Sequence, residues 1–134
     1  MECDIAIPAA TQNELTEEDA EALVASGCTY VVEAANMPST REAIHHFHEN
    51  NVYFGPAKAA NAGGVAVSGL EMSQNSIRLH WTREEVNEKL EGIMKNIYAA
   101  AYAASEEYGT TLQAGANIAG FLKVANAMLD QGAV

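Results

Sequence analysis

The run Lys58-Ala-Ala-Asn-Ala-Gly-Gly-Val-Ala-Val-Ser-Gly-Leu-Glu-Met-Ser-Gln-Asn75 holds the residues best suited to ligand chemistry. It opens as a loop, passes a glycine pair and turns helical. With a helix start near Asn61, the residues Asn61, Val65, Ser68 and Met72 recur at i, i+4, i+7 and i+11 and share one stripe. An amide, a branched apolar group, a hydroxyl and a thioether then face the same side. Gly63 and Gly64 weaken a helix by about 1 kcal/mol each relative to alanine. Close approach of a ligand to the backbone would explain them, and so would tight packing on a neighbouring helix.

The elements that must position this stripe alternate strand and helix. Asp4–Ile7, Thr29–Glu33 and Asn51–Phe54 read as short strands, with helices over Thr16–Ser26 and Ser39–Asn50. Thr16 with Asp19, Ser39 with Glu42, and Thr82 with Glu85 mark helix starts as capping boxes or near-boxes. This alternation implies right-handed crossovers and a mostly parallel sheet, half of a doubly wound fold. In such sheets ligands bind beyond the carboxyl ends of the strands. There the loops Pro8–Asn13, Ala34–Pro38 and Gly55–Gly64 should meet, bringing Thr11, Gln12, Asn36 and Asn61 to one edge. Side chains of this kind suit a planar carboxamide or a sugar hydroxyl, and equally suit ordinary turns. The second half is helical: Asn61–Leu79, then a long helix from Thr82 to about Tyr108 with Gly109 as its stop, a loop over Thr110–Gln113, and a final amphipathic helix carrying Ile118, Phe121, Leu122, Ala125, Met128 and Leu129.

The 134 residues are enough for one modest core, and 49% of them are apolar without a run long enough to span a bilayer. The net charge of −11, from 18 acids against 7 bases, repels phosphate backbones and argues against a nucleic-acid partner. The residues after Met1 lack the basic-then-apolar pattern of a secretory signal, so a cytoplasmic protein is expected. Cys3 and Cys28 have no metal-ligand spacing and read as two reduced, partly buried thiols. His45, His46 and His48 lie on an ordinary surface helix with no completing acid, so no metal is expected. Gly115–Gly120 has phosphate-loop glycine spacing, but Phe121 and Leu122 stand where Lys and Ser/Thr are required; a tight turn opening the last helix is the expectation.

The central run, together with Pro8-Ala-Ala-Thr-Gln-Asn-Glu14, Glu33-Ala-Ala-Asn-Met-Pro38, Trp81-Thr-Arg-Glu-Glu85 and Gly115-Ala-Asn-Ile-Ala-Gly-Phe121, resembles the C-terminal part of glutamate dehydrogenases of the short hexameric type, within the Glu/Leu/Phe/Val dehydrogenase family. The resemblance implies the second half of a Rossmann-like nucleotide-binding domain followed by C-terminal helices. It divides the chain into 1–80, the dinucleotide-binding half with its ligand-lining helix, and 81–134, helices that return toward a substrate domain. It implies NAD or NADP as cofactor, with Ala10, Thr11, Gln12, Asn36 and Asn61 lining the nicotinamide end. For glutamate it implies Ser68 at the side-chain carboxylate and Val65 on the methylenes, in a homo-oligomer. The family's acid/base lysine belongs to its substrate domain, so Lys58 takes no catalytic role by resemblance.

No G-x-G-x-x-G occurs, and nothing matches the family's substrate-domain lysines or its catalytic aspartate. The chain is therefore expected to be a piece of a longer enzyme, holding no catalytic residue and inactive alone. Two other readings stand beside it. One is a leucine- or phenylalanine-type dehydrogenase, which would need no hydroxyl at Ser68. The other is a non-catalytic protein-interaction module.

Overall fold

A computed structural model describes residues 2–132. Three short parallel strands, β1 (Ile5–Ala6), β2 (Tyr30–Val32) and β3 (Tyr53–Gly55), form a sheet in the order β1-β2-β3. Ile5 aligns with Tyr30 and Tyr30 with Tyr53. The strands occupy the expected places but are shorter, β1 and β2 pairing only through their central residues and β3 shifted to end at Gly55.

Helices α1 (Glu17–Ala25) and α2 (Arg41–Glu49) connect them and pack on each other. Strand alternation decides which side chains meet these helices. Val31 and Phe54 point toward them and join Ala20, Cys28, Ala43, Phe47 and Val52 in the buried core. The Phe47 and Phe54 rings stack at 6.0 Å between centroids. On the opposite face Ile5, Tyr30 and Tyr53 form a row that remains largely exposed. Tyr30 and Tyr53 stack there at 5.1 Å.

The helix starts show how local chemistry sets boundaries. Thr16 accepts from Asp19 N while the Asp19 carboxylate accepts from Thr16 N at 2.9 Å; Thr82 and Glu85 repeat the exchange at the start of α5 (Arg83–Glu107), where Thr82 N donates at 2.7 Å. Hydrogen bonds from the capping threonines hold both carboxyls below their usual range. Gly27 (φ 88°) and Gly109 (φ 60°) follow α1 and α5 in the left-handed region, as expected of helix stops.

Three expectations need correction. Thr40, not Ser39, caps α2 by accepting from Ala43 N; Ser39 is buried, where its backbone pairs with Leu15 in an isolated bridge. The helix expected from Asn61 is present as α4 (Ala62–Ile77) with Asn61 at its N-cap, and a short helix not expected, α3 (Ala57–Ala60), precedes it. Most consequentially, Thr110–Gln113 is not all loop and Gly115–Gly120 is not a turn. Thr111 caps α6, which runs unbroken over Leu112–Gln131. Gly115 lies inside it because α6 crosses α5 there: a Cβ would overlap Ala101 O and stand 2.8 Å from Ser105 Cβ.

Helix α5 buries Ala101 and Ala104 and half-buries Val86, Leu90, Ile93 and Ile97, whereas Tyr108, expected on that face, is exposed. The far half of α6 leaves Phe121, Val124, Met128 and Leu129 exposed, and β1 is an edge strand with Ile5 and Ile7 more than half exposed. Edge strands and apolar helix faces of this kind favour pairing with another chain. A polypeptide of these 134 residues is therefore expected to self-associate through β1 or α6. Light scattering at tens of micromolar checks this, and a monodisperse monomer would refute it.

Candidate functional site

All three strands run parallel, so the segments leaving them emerge at one edge of the sheet. Backbone hydrogen bonds lace these segments together. Pro8 O accepts from Ala34 N and Ala35 N at 3.0 Å, Met37 O from Asn13 N at 3.0 Å, and Gly55 O from Glu33 N at 2.9 Å. The meeting of loops inferred from the sequence is thus present, and it consumes the loops' own backbone groups while several side chains stay free to face outward.

Residue by residue, Ala10 and Thr11 sit in a turn whose backbone N–H groups donate to the Glu14 carboxylate, at 2.9 and 3.4 Å. The side chains of Thr11, Gln12 and Asn36 are exposed. Asn61 is drawn inward: its Nδ2 donates to Ala35 O at 3.1 Å, tying the α3–α4 junction to the loop that carries Asn36. That bond leaves the Asn61 carbonyl oxygen available as an acceptor. Between Asn36 and Pro38, Met37 takes a left-handed φ of 56°, unusual for a residue with a long side chain, and its side chain is half exposed. Asn13 at φ 54° makes the matching turn in the first loop.

Val65 and Ser68 share a face of α4 and are both exposed. The Ser68 hydroxyl donates to Gly64 O at 3.3 Å, the usual back-bond of a helical serine. A carboxylate placed against Ser68 would have to draw that proton from Gly64 O. Tight helix packing does not explain the glycine pair: a Cβ at Gly63 would make only ordinary contacts with Met94 and Leu90, and one at Gly64 would meet nothing within 4 Å. The space above Gly64 is open to an approaching ligand.

Glu33 is the residue that sequence reading did not single out. It is 3% exposed, and each carboxylate oxygen accepts a buried backbone N–H: Oε1 from Ser39 at 3.2 Å and Oε2 from Ala57 at 2.8 Å. One side chain thereby joins the Ala34–Pro38 loop to the start of α3, the two segments that present Asn36 and Asn61. The signal was present in the alternation: Glu33 follows Val31 at i+2 and so shares its buried side. A carboxylate there requires partners.

Other chemistry-bearing residues disperse. His45 pairs with Glu49 of the same helix at 3.2 Å, so an acid does lie nearby, while His46 approaches Asn50 Nδ2 at 3.3 Å. His48 packs edge-on against Phe54 at 5.6 Å, and burial followed by repulsion from His45 holds it below the ordinary histidine range. The three rings have separate partners rather than one centre. Lys58 Nζ donates to Asn117 Oδ1 at 2.8 Å, linking α3 to α6. An open cleft of about 940 Å³ lies between the Tyr30–Tyr53 face and α5, but none of the candidate residues lines it.

A parallel half-sheet, polar loops gathered at its carboxyl edge and a glycine-bearing helix leaving that edge define half of a doubly wound nucleotide-binding domain. The family model for Glutamate/Leucine/Phenylalanine/Valine dehydrogenase matches residues 1–132, and the chain belongs to that family. It is 64% identical over 131 residues to an NADP-specific glutamate dehydrogenase of Chlorella sorokiniana, covering 98% of this chain and 25% of that protein. With the NADP-specific glutamate dehydrogenase of Giardia intestinalis it shares 58% identity over 133 residues, covering 98% and 30%. A solved structure of Plasmodium falciparum glutamate dehydrogenase 2 superposes with a TM-score of 0.95 at 54% identity, over 100% of this chain and 30% of the other. The chain spans no more than about a third of the relatives it matches.

Proposed function

We propose that these residues are the nicotinamide-side portion of a glutamate dehydrogenase, which converts L-glutamate and water to 2-oxoglutarate and ammonia with NAD or NADP. The observation that carries the proposal is the gathering of Asn36 and Asn61 with Ala10, Thr11 and Gln12 at one strand edge, laced by the Pro8–Ala34 and Asn61–Ala35 bonds. The NADP-specific relatives favour NADP. Among the described residues no helix is long and apolar enough to cross a membrane. The reading also includes a cytoplasmic homo-oligomer, a hexamer on the family's pattern, in which 1–80 contribute the cofactor edge and 81–134 return toward the substrate domain.

The residues fit a dinucleotide's nicotinamide end. The exposed amides and hydroxyl of Gln12, Asn36 and Thr11 offer donors and acceptors, and the free Asn61 oxygen adds an acceptor. The cofactor, when bound, supplies the hydride acceptor. Asn61 and Asn36 would orient its carboxamide and ribose, Val65 would shed water from the substrate methylenes, and Ser68 would donate to the distal carboxylate. Such positioning lowers the barrier by fixing the reacting atoms in line.

A chimera tests this. Residues 2–132 replace the matching quarter of the Chlorella sorokiniana enzyme, and NADP-dependent glutamate oxidation is measured. Activity is expected from the chimera and none from the 134-residue chain alone, which lacks the G-x-G-x-x-G phosphate loop. In the chimera, Ser68→Val should lower kcat/KM for glutamate. A hydrogen bond to a charged group contributes about 1.5–3 kcal/mol, roughly 10- to 150-fold. Because Ser68 must give up its bond to Gly64 O, the lower end is expected. Unchanged kcat/KM would remove Ser68 from the site.

A further inference from the structure

At the opposite ends of the strands, the amino edge, two thiols meet. The register pairs Ile5 with Tyr30; continued two residues back, before either strand begins, it sets Cys3 opposite Cys28. Adjacent strands lie about 4.8 Å apart, within the range of about 4.4–6.8 Å between Cα atoms that a disulfide spans. Thr29 N and Tyr30 N both donate to Asp4 O at 3.1 Å, so the ladder is irregular there. Both cysteines turn to the α1–α2 side: Cys28 belongs to the buried core, and Cys3 packs against it while remaining partly exposed. The Cys28 thiol lies 3.3 Å from Tyr30 O and 3.8 Å from Asp4 O, the residue that follows Cys3. Burial, with the neighbouring Cys3 thiol, pushes Cys28 up from the ordinary thiol range.

We propose that Cys3 and Cys28 form a dithiol that a low-molecular-weight disulfide oxidises to an internal cross-link between β1 and the start of β2. Cys3, the accessible member, attacks as its thiolate on one sulfur of the oxidant. The oxidant's S–S bond breaks, one thiolate leaves, and a mixed disulfide forms on Cys3. Cys28 then loses its proton and attacks the Cys3 sulfur, displacing the second thiol. The protein gives up two electrons and two protons in all, and the oxidant is reduced to two thiols. The cross-link encloses the first loop and α1 and fastens the edge strand β1 to the chain entering β2. None of this depends on the proposed dehydrogenase activity.

The test treats the full chain with oxidised glutathione at mildly alkaline pH, followed by intact-mass measurement and peptide mapping without reduction. The expected product is a species lighter by two hydrogens, with the Cys3 and Cys28 peptides joined, a raised melting midpoint, and full reversal by dithiothreitol. In Cys28→Ser a glutathione adduct should persist on Cys3; in Cys3→Ser the buried Cys28 should react at least tenfold more slowly than Cys3 does. A persistent glutathione adduct on Cys3 of the unsubstituted chain would overturn the proposal. An interchain cross-link, or no reaction at either thiol, would do the same. Peptide mapping of the unsubstituted chain decides the matter even if a serine variant fails to fold.

Discussion

Replacing Gly115 by alanine should destabilise the protein, although alanine is the better helix former. The new methyl would overlap Ala101 O and press on Ser105 Cβ and Ser105 N, both 2.8 Å away. None of these is the far end of a flexible side chain, so relief requires α5 and α6 to move apart. Overpacking of this kind costs about 1–3 kcal/mol and more where backbone is struck, against a gain in helix propensity of about 1 kcal/mol. A net loss of about 2 kcal/mol is expected in urea unfolding. Gly120, one and a half turns further along the same helix, is the control, since a Cβ there meets nothing within 4 Å. Gly120→Ala should be neutral or stabilising by up to about 1 kcal/mol. Equal responses from the two variants would show that the crossing is looser than the structure has it.

The second large effect is expected at Glu33. Removing its side chain leaves the buried N–H groups of Ser39 and Ala57 without acceptors, and each bond to a charged group contributes about 1.5–3 kcal/mol. Glu33→Ala should therefore lose about 3–5 kcal/mol. Glu33→Gln keeps the shape and one acceptor but turns an amide NH₂ toward an N–H donor, and should lose about half as much. Because the carboxylate joins the segments bearing Asn36 and Asn61, the Gln variant built into the active chimera should weaken cofactor use as well. Denaturant melts of the single variants check the first claim, and KM for NADP against kcat checks the second. A loss below 1 kcal/mol for Glu33→Ala would mean that water replaces the carboxylate without penalty.

The sequence by itself determined what depends on neighbours a few residues away. The reciprocal bonds of Thr16 with Asp19 and Thr82 with Glu85 join residues three apart, and Gly27 and Gly109 act on their own backbone. Those helix starts and stops were therefore legible. The alternation of strands with helices implied parallel strands, and with them the single edge where Thr11, Gln12, Asn36 and Asn61 gather. Side-chain identity also marked the family, whose model matches residues 1–132.

Tertiary structure decided what depends on partners far along the chain. Ser39 and Thr40 are chemically alike as caps. Thr40 took the role because the Leu15 bridge and the Glu33 carboxylate hold the Ser39 backbone inside the fold. Gly115 looked like a turn because only the crossing of α5, ten to fourteen residues away in sequence, supplies the steric reason for a glycine within a helix. Asn61 starts α4 as its pattern indicates, but only the fold sends its side chain back to Ala35 O instead of onto the helix it opens. Glu33 could be recognised as the link between the segments bearing Asn36 and Asn61 only once Ala57, 24 residues on, had been brought beside it. A buried charge is tolerable where distant backbone amides converge on it, and that convergence is a property of the fold rather than of any local run of residues.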